Sequence, residues 1–408
     1  MRGIRRAAIV SVACAVALLA AGVPAVADTS TPEPSASDTP TPSPTATFAA
    51  EPSVHVVAAD QSDLQARAAQ IVAAMSPEEL AGTVVMGSLS SRDLPTLQAY
   101  MSDSHLGGFI LMGANVSTEQ QTRELTDGLV TDPALPPLLA VDQEGGVVKR
   151  LYWDQYPAAS ALRVAGPGDA EAAFASRGAL VARAGIGVNF GIIADETDNR
   201  SSFIFNRILG ETPADAMTRV ASAVIGEAPY AASTLKHFPG HGALAANSHF
   251  TVPETDMAFD LWRNGPARPF SAGIDAGAPL VMMGHLAYTA VDDGPASLSS
   301  AWYDVLRDDL GFTGVAVTDD LGMLVQSGDD AYADIAQDAV LALAAGADLV
   351  LAIATTSPET AGQIVQAIQN AVTTGALSED RLTDAAIHCV ALRLQLAGAG
   401  RGAVLATE

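Results

Sequence analysis

The sequence predicts an α/β fold, a (β/α)8 TIM-type barrel built by a single domain. Three observations predict it. From Val54 onward, eight short apolar runs alternate with alanine-rich amphipathic stretches, as strands alternate with helices in α/β proteins. Polar residues follow the ends of several of these runs, where barrel proteins carry their functional groups. Residues 54–408 contain no G-x-G-x-x-G or G-x-x-x-x-G-K-[ST] pattern, which would favour the alternative, an open doubly wound sheet.

The eight predicted strands are apolar runs bounded mainly by glycine and proline: 82–89, 107–112, 137–141, 187–194, 233–238, 279–284, 314–318 and 347–353. Helices are predicted between them, over 169–184, 213–226, 301–310, 331–345 and 358–373. An earlier helix is predicted to start at the sequence Ser76-Pro77-Glu78-Glu79. There serine can cap the first turn, proline fits the first helical position, and glutamate can reach back to the cap.

The N-terminus predicts a secretory signal peptide over residues 1–27. Three arginines among the first six residues precede the apolar run 7–22, and the small residues at 25–27 offer a cleavage site. A signal anchor is the alternative, but the run is short for a bilayer span. The pair Arg5-Arg6 leaves twin-arginine export open. We therefore expect a protein that is secreted or associated with the cell wall.

Residues 28–55 are predicted to be an extended linker. Within 28–48, 15 of 21 residues are serine, threonine or proline, a composition that cannot bury enough apolar surface to fold. Such a linker suits association with a cell wall.

The net charge of −25 argues against a nucleic-acid partner, because phosphates would be repelled. Once the signal peptide is removed, Cys389 is the remaining cysteine, so no intramolecular disulfide is expected. A monomer is expected.

The segment 236–242, Lys-His-Phe-Pro-Gly-His-Gly, is the densest polar motif, with one of the two lysines and two of the seven histidines of the chain. Its proline and glycines exclude a continuous helix and predict a shaped loop at a strand end. Other predicted strands also end in polar residues. The full set is Asp142, Glu144, Asp195, Lys236, His237, His285, Asp319 and Asp320. Because the carboxyl ends of barrel strands share one mouth, this set predicts an active site there.

The residue types favour glycoside cleavage. The sequence has no Gly-x-Ser-x-Gly elbow, so acyl transfer through a serine is unsupported. His237, His241 and His249 raise a metal site as an alternative, but His-x-His spacing is absent and the Lys236 ammonium would repel a dication. An attacking carboxylate, a histidine that donates a proton, and charged groups that hold hydroxyls suit a glycosidase better.

Three motifs carry a family resemblance: 142–146 (Asp-Gln-Glu-Gly-Gly), 236–242, and 318–323 (Thr-Asp-Asp-Leu-Gly-Met). Together they resemble glycoside hydrolase family 3, in its single-barrel β-N-acetylglucosaminidase branch. The stretches 186–195, 296–299, 310–314 and 345–348 support it, and the similarity covers roughly residues 62–395. The resemblance implies that residues 56–408 form one (β/α)8 hydrolase domain.

The resemblance also implies a role for individual residues. Asp319 would be the nucleophile of a retaining double displacement, and His249 the general acid/base on a mobile loop. Asn247 would orient the His249 ring. Neither a metal nor a cofactor is implied. The positions that match the sugar-binding residues of the family are Asp142, Arg150, Arg207, Lys236, His237 and His285.

The loop departs from the family in one respect. Where the family typically has Asp-Ser-His, this chain has Asn247-Ser248-His249, and Ala243-Leu244 replaces a common Asp-Thr pair. The Asn247 carbonyl can orient the imidazole but brings no negative charge to stabilise the imidazolium. The sequence therefore predicts that the pH optimum lies further toward acid than that of an Asn247→Asp variant.

The resemblance implies secreted removal of terminal N-acetylglucosamine from peptidoglycan fragments or chitooligosaccharides. Two alternatives stay open. A noncatalytic glycan or muropeptide binder would keep the pocket without turnover, although it would not need Asp319. A β-glucosidase of the larger family branch generally takes its acid from a downstream domain, which is not expected here.

Overall fold

The computed structural model describes residues 61–244 and 246–399, which all fall within one compact unit, Val56–Glu408. The predicted signal peptide and linker lie outside the described residues. Among the described residues, no helix combines the length and the apolarity that crossing a bilayer requires. The domain contains a closed barrel of parallel strands surrounded by helices.

Eight strands form the barrel, in the order β1-β10-β9-β7-β5-β4-β3-β2, with β1 pairing β2 to close it. Two short strands, β6 and β8, pair separately. The strands are β1 (Val85–Gly87), β2 (Gly108–Leu111), β3 (Leu138–Val141), β4 (Val188–Ile193), β5 (Ala232–Phe238), β6 (Glu254–Thr255), β7 (Leu280–Met283), β8 (Ala287–Tyr288), β9 (Val315–Asp320) and β10 (Leu349–Ala352).

The α-helices of the described chain surround this barrel. They are α1 (Gln61–Val72), α2 (Pro77–Thr83), α3 (Leu94–Ser102), α4 (Glu119–Leu129), α5 (Ala159–Leu162), α6 (Pro167–Arg183), α7 (Pro213–Glu227), α8 (Phe259–Asn264), α9 (Ala267–Asp275), α10 (Ser300–Asp304), α11 (Leu321–Gln326), α12 (Ile335–Ala345), α13 (Thr360–Thr374) and α14 (Glu379–Gly398).

The predicted barrel is confirmed, and each predicted strand corresponds to a barrel strand. Two boundaries differ in ways that matter. The first predicted strand began too early, because Gly82 and Thr83 complete α2. The strand predicted over 314–318 runs on through Asp319 and Asp320, so both carboxylates belong to β9. The predicted cap of α2 is present: Ser76 Oγ accepts from Glu79 N at 3.2 Å, and Ser76 N donates to Glu79 Oε2 at 2.8 Å.

Two apolar layers explain the strand pattern. Inward-facing strand side chains form one buried cluster, which includes Ile110, Val188 and Phe190. Outward-facing ones, such as Leu235, pack with the helices in a second cluster. A parallel sheet that is covered on both faces reads as a continuous apolar run, which is why short strands could be recognised in the sequence.

Helix α14 closes the floor of the barrel, at the amino ends of the strands. Its side chains Cys389, Leu392 and Leu396 belong to the same cluster as the inward-facing strand residues. Arg393 on this helix donates to the carbonyls of Leu135 and Pro136, just before β3. With the interior at the floor closed by apolar side chains, the opposite mouth is the end at which the barrel interior is open to polar groups.

Candidate active site

Lys236, near the carboxyl end of β5, is the centre of a buried ion-pair network. Its Nζ lies 2.9 Å from Asp142 Oδ1 and 2.9 Å from Glu144 Oε1. The Lys236 side chain is 4% exposed, whereas that of Asp142, directly after β3, is 15% exposed. A buried ammonium is stable only when it is paired. The two carboxylates thus keep Lys236 charged: although burial lowers its pKa, Asp142 and Glu144 raise it above the usual value.

Glu144 joins Lys236 to Arg207. Arg207 donates from Nε to Glu144 Oε2 at 2.9 Å and from Nη2 to Oε1 at 2.7 Å, a bidentate pair. Burial alone would raise the pKa of Glu144, but Lys236 and Arg207 lower it to about 2. On the outer side, Arg150 Nη2 lies 3.1 Å from Asp142 Oδ2. The four groups around Lys236 therefore form one charged wall of the mouth.

Asp195, just after β4, holds two histidines in place at a second part of the mouth. Its Oδ2 lies 2.8 Å from His237 Nδ1, and its Oδ1 accepts from the backbone N of His241 at 2.5 Å. The Asp195 side chain is fully buried. Burial would raise its pKa, but His237 and His241 lower it below the usual range. This carboxylate sets the orientation of the His237 ring, because it engages Nδ1 and leaves Nε2 for other partners.

The neighbouring carboxylates Asp319 and Asp320 have different surroundings. Asp319 is partly exposed, and its Oδ1 accepts from the backbone N of Asp320 at 2.8 Å. Burial would raise the pKa of Asp319, but His237, His285 and that N–H lower it. Asp320 is buried and accepts from the backbone N of Gly322, Ile353 and Ala354 at 2.8–3.0 Å. Asp319 is thus ionised and accessible, while Asp320 ties β9 to α11 and β10.

His285, two residues after β7, lies beside this pair. Its Nδ1 is 2.7 Å from Ser297 Oγ, and its Nε2 is 2.9 Å from the Asp320 carbonyl oxygen. A carbonyl only accepts, so Nε2 carries the proton and Nδ1 accepts from the Ser297 hydroxyl. Burial lowers the pKa of His285 and favours this neutral form. Since both ring nitrogens are engaged, a direct bond from His285 to a sugar hydroxyl would require one of these bonds to break.

His249 lies on the loop after β5. It is exposed, and its Nδ1 is 2.6 Å from Asn247 Oδ1. The Asn247 oxygen can only accept, so Nδ1 carries the proton and Nε2 is left out of this contact. Although the residue is exposed, partial desolvation of its ring lowers the pKa of His249, and Arg207, His237 and Lys236 lower it further against an opposing effect of Asp319. The predicted Asn247–His249 contact is therefore present, with the neutral ring favoured.

The three histidines that suggested a metal site are occupied separately. His237 Nδ1 contacts Asp195, His241 Nε2 contacts Ser248 Oγ, and His249 Nδ1 contacts Asn247. Within residues 61–244 and 246–399, one group of ligand-type side chains lies close enough to share a metal, formed by Asp348, Asp384 and His388. It lies at the floor of the barrel, where Asp348 precedes β10, and not at the mouth.

The polar residues that follow the predicted strands lie at the mouth, but the sequence does not reveal all of the ion pairs between them. One ion-pair network connects some of them: Asp142 pairs with both Lys236 and Arg150. Glu144 pairs with both Lys236 and Arg207. Glu144 and Asp195 belong to the polar strand ends that predict an active site, but the family resemblance gives neither of them an individual role. Their position after apolar runs was the available signal, since a carboxylate that is buried at a strand end needs a basic partner.

The closed barrel and its charged mouth define a (β/α)8-barrel enzyme, because the fold places such groups where barrel enzymes perform catalysis. The sequence matches the glycosyl hydrolase family 3 N-terminal domain over residues 72–392. This chain therefore belongs to glycosyl hydrolase family 3. The predicted family and the predicted enzyme class, glycoside hydrolase, are confirmed.

Individual relatives agree with this assignment. A β-hexosaminidase of Stenotrophomonas maltophilia (strain R551-3) is 35% identical over 236 residues, which cover 55% of this chain and 70% of the relative. The β-N-acetylglucosaminidase structure of Paenibacillus sp. str. FPU-7 is similar with a TM-score of 0.76 at 29% identity, covering 82% of this chain and 65% of that one. The β-N-acetylhexosaminidase structure of Beutenbergia cavernae DSM 12333 has a TM-score of 0.66 at 30% identity, covering 80% and 99%.

Proposed function

We propose that this chain is a retaining exo-β-N-acetylglucosaminidase. The observation that carries the proposal is the state of Asp319: it is ionised, partly exposed at the barrel mouth, and electrostatically coupled to Lys236 and His237. A retaining glycosidase needs a carboxylate of this kind as its nucleophile. The relatives named β-hexosaminidase and β-N-acetylglucosaminidase support the choice of sugar.

The charged wall around Lys236 would hold the terminal sugar. Asp142 and Arg150 retain exposed fractions of 15% and 27%, so each has capacity left for a hydroxyl group. Lys236, Arg207 and Glu144 are more deeply buried: Lys236 pairs directly with Asp142, and it is held in turn by Glu144, which pairs with Arg207. Such a rigid set of donors and acceptors would orient the pyranose so that its anomeric carbon faces Asp319.

The reaction would proceed in two displacements. An Asp319 carboxylate oxygen forms a bond to C1 while the bond from C1 to the glycosidic oxygen breaks, and the imidazolium of His249 donates its Nε2 proton to that oxygen. In the second step, neutral His249 accepts a proton from water, the water oxygen bonds to C1, and the ester to Asp319 breaks. Asp319 and protonated His249 are then restored.

We further propose that the natural substrates are N-acetylglucosamine-containing peptidoglycan fragments or chitooligosaccharides, and that the chain acts outside the cytoplasm. The apolar run 7–22 and the linker composition of 28–48 support export. N-terminal sequencing of the protein recovered from a culture medium or cell-wall fraction tests this part. A start at Asp28 is expected, whereas an intact Met1 on intracellular protein would contradict it.

The activity is tested with 4-nitrophenyl β-N-acetylglucosaminide and 4-nitrophenyl β-glucoside, with Asp319→Ala as the control. We expect release of 4-nitrophenol from the first substrate, little from the second, and none with the variant. A quenched reaction should contain protein heavier by one N-acetylglucosaminyl group. Preference for the glucoside would favour the β-glucosidase alternative. Binding of chitooligosaccharide without any turnover would instead support a noncatalytic glycan binder.

A further inference from the structure

A buried hydrogen bond links two positions of the loop that carries His249. His241 Nε2 lies 3.0 Å from Ser248 Oγ, across seven residues of sequence. Both partners are buried, with 1% of His241 and 4% of Ser248 exposed. The residues on either side of Ser248 are more accessible, and His249 is exposed. Ser248 is therefore the point at which this part of the loop is attached to the barrel.

His241 is itself held firmly. Its backbone N donates to Asp195 Oδ1 at 2.5 Å, the same carboxylate that engages His237. Its ring packs edge-on against Phe203, with ring centroids 4.6 Å apart, and Phe203 also contacts the His249 ring at 6.1 Å. A continuous set of contacts thus runs from Asp195 through His241 to Ser248.

The direction of this hydrogen bond follows from the His241 ring. Burial lowers the pKa of His241 to about 4, so the ring is neutral near pH 7. Among the described residues its buried Nδ1 has no hydrogen-bond partner. Buried N–H groups without a partner are rarer than buried acceptors without one, so we assign the proton to Nε2. Nε2 therefore donates to Ser248 Oγ, and the serine hydroxyl is free to rotate toward another acceptor.

We propose that Ser248 is a positioning residue, whose hydrogen bond with His241 holds the loop so that His249 faces the mouth. The proposal rests on the proposed function, in which His249 is the general acid/base. Ser248 itself touches no reacting atom. Loss of its hydroxyl should impair proton transfer by His249 without weakening the binding of the sugar by the charged wall.

The nature of the leaving group distinguishes this role from a general structural one. A sugar alkoxide needs a proton as it departs, whereas 4-nitrophenolate is a stable anion that departs without one. A misplaced His249 should therefore slow the first displacement for a disaccharide and leave it nearly unchanged for the nitrophenyl glycoside. The second displacement needs His249 as a base for both substrates, so the covalent intermediate should accumulate.

The experiment compares Ser248→Ala with wild type on N,N′-diacetylchitobiose and on 4-nitrophenyl β-N-acetylglucosaminide. For the disaccharide we expect kcat/KM to fall by about 10- to 100-fold, a part of the total effect of a general acid. For the nitrophenyl substrate, kcat/KM should change by less than about threefold while kcat and KM fall together. Ser248→Thr, which keeps the hydroxyl, should recover most of the activity. The matched control is Thr251→Ala, which removes a hydroxyl from an exposed residue of the same loop.

Hydrogen–deuterium exchange gives a readout that does not depend on turnover. Amides in 246–250 should exchange faster in Ser248→Ala than in wild type or Thr251→Ala, while the amides of β5 stay protected. Equal losses on both substrates, or no loss on either with unchanged exchange, would overturn the positioning role. If wild type cleaves neither substrate while the exchange difference remains, the proposed function fails and the attachment of the loop by Ser248 does not.

Discussion

The two ends of the barrel both carry buried charges, but they use them differently. At the floor, Asp348 lies within 3.0 Å of Arg307, Arg381 and His388, and it also accepts from the backbone N of Ala316. At the mouth, Lys236 is paired with two carboxylates just as closely. A buried ion-pair network alone therefore does not identify an active site.

The difference lies in the groups that each network leaves accessible. The Asp348 carboxylate is fully buried, and its oxygens are used by protein donors. At the mouth, Asp319 remains partly exposed, and His249 is exposed with its Nε2 unused by Asn247. The comparison teaches that an active site in this fold combines a rigid, satisfied network with a few ionisable groups that keep capacity for a substrate.

The largest expected effect comes from removing the accessible carboxylate. Asp319→Asn keeps the shape of the side chain but cannot form the glycosyl ester, so kcat should fall by about 10⁴-fold, as for other nucleophile replacements. Its melting temperature should fall less than that of an Asp348→Asn variant, because within the described residues the Asp319 side chain accepts a hydrogen bond from the neighbouring backbone N–H alone. Turnover and thermal unfolding are measured on the same sample. A large loss of stability would place Asp319 with the structural carboxylates.

The opposite outcome is expected at the floor. Asp348→Asn leaves Arg307 and Arg381 without their shared anion and should lower the free energy of unfolding by about 3 kcal/mol. Activity per folded molecule should stay within about twofold. Asp384→Asn is the matched control, because that exposed carboxylate pairs with the same Arg381 and surface pairs contribute about 0.5 kcal/mol. Denaturant titration measures both, and equal effects would contradict the distinction.

A smaller, stabilising effect is expected on α12. Both oxygens of the buried Asp338 lack a partner among the described residues, and burial, aided by Asp334, raises its pKa to about 7 from 3.8. Because the folded state binds this proton more tightly, its contribution to stability is present below pH 4 and is lost as the pH rises to 7. Asp338→Asn should therefore gain about 1–2 kcal/mol at pH 8 and little at pH 4. A gain that is the same at both pH values would contradict this account.

The smallest effect concerns the mouth and its pH profile. Asn247→Asp places a carboxylate beside His249 Nδ1, which should raise the pKa of His249 and move the basic limb of kcat/KM to higher pH. The acidic limb, set by Asp319, should move less. Profiles of the two proteins on a disaccharide, where the acid is required, provide the measurement. Coincident basic limbs would mean that burial and the nearby cations set this pKa, independently of residue 247.

The sequence was sufficient to predict the barrel because its strands are covered on both faces. Runs such as 107–112 are apolar throughout and end at glycine or at a polar residue, so they stand out without any alignment. The ends of elements were less predictable. An apolar strand pattern that stops at the first charged residue ends at Thr318, although the β9 backbone continues through Asp319 to Asp320.

Tertiary pairing explains what the sequence did not reveal at the site. Glu144 and Lys236 are distant in the sequence, and the pairing of β4 with both β3 and β5 brings Lys236 within reach of Asp142 and Glu144. The same holds for Asp195, just after β4, and His237, on the adjacent strand β5. The different roles of Asp319 and Asp320 depend on which side of β9 each side chain faces. The predicted strand ended two residues too early, so it did not include either side chain and could not indicate which way it faces.

Helix α14 has a consequence for biosynthesis. Its residues Cys389, Leu392 and Leu396 fill the interior at the amino ends of the strands, yet it follows every strand in the chain. A nascent polypeptide that has completed all eight strands still lacks the α14 side chains that fill the amino end of the barrel core. The core is therefore completed only after α14 has been translated, which favours folding of the barrel as a whole over folding strand by strand.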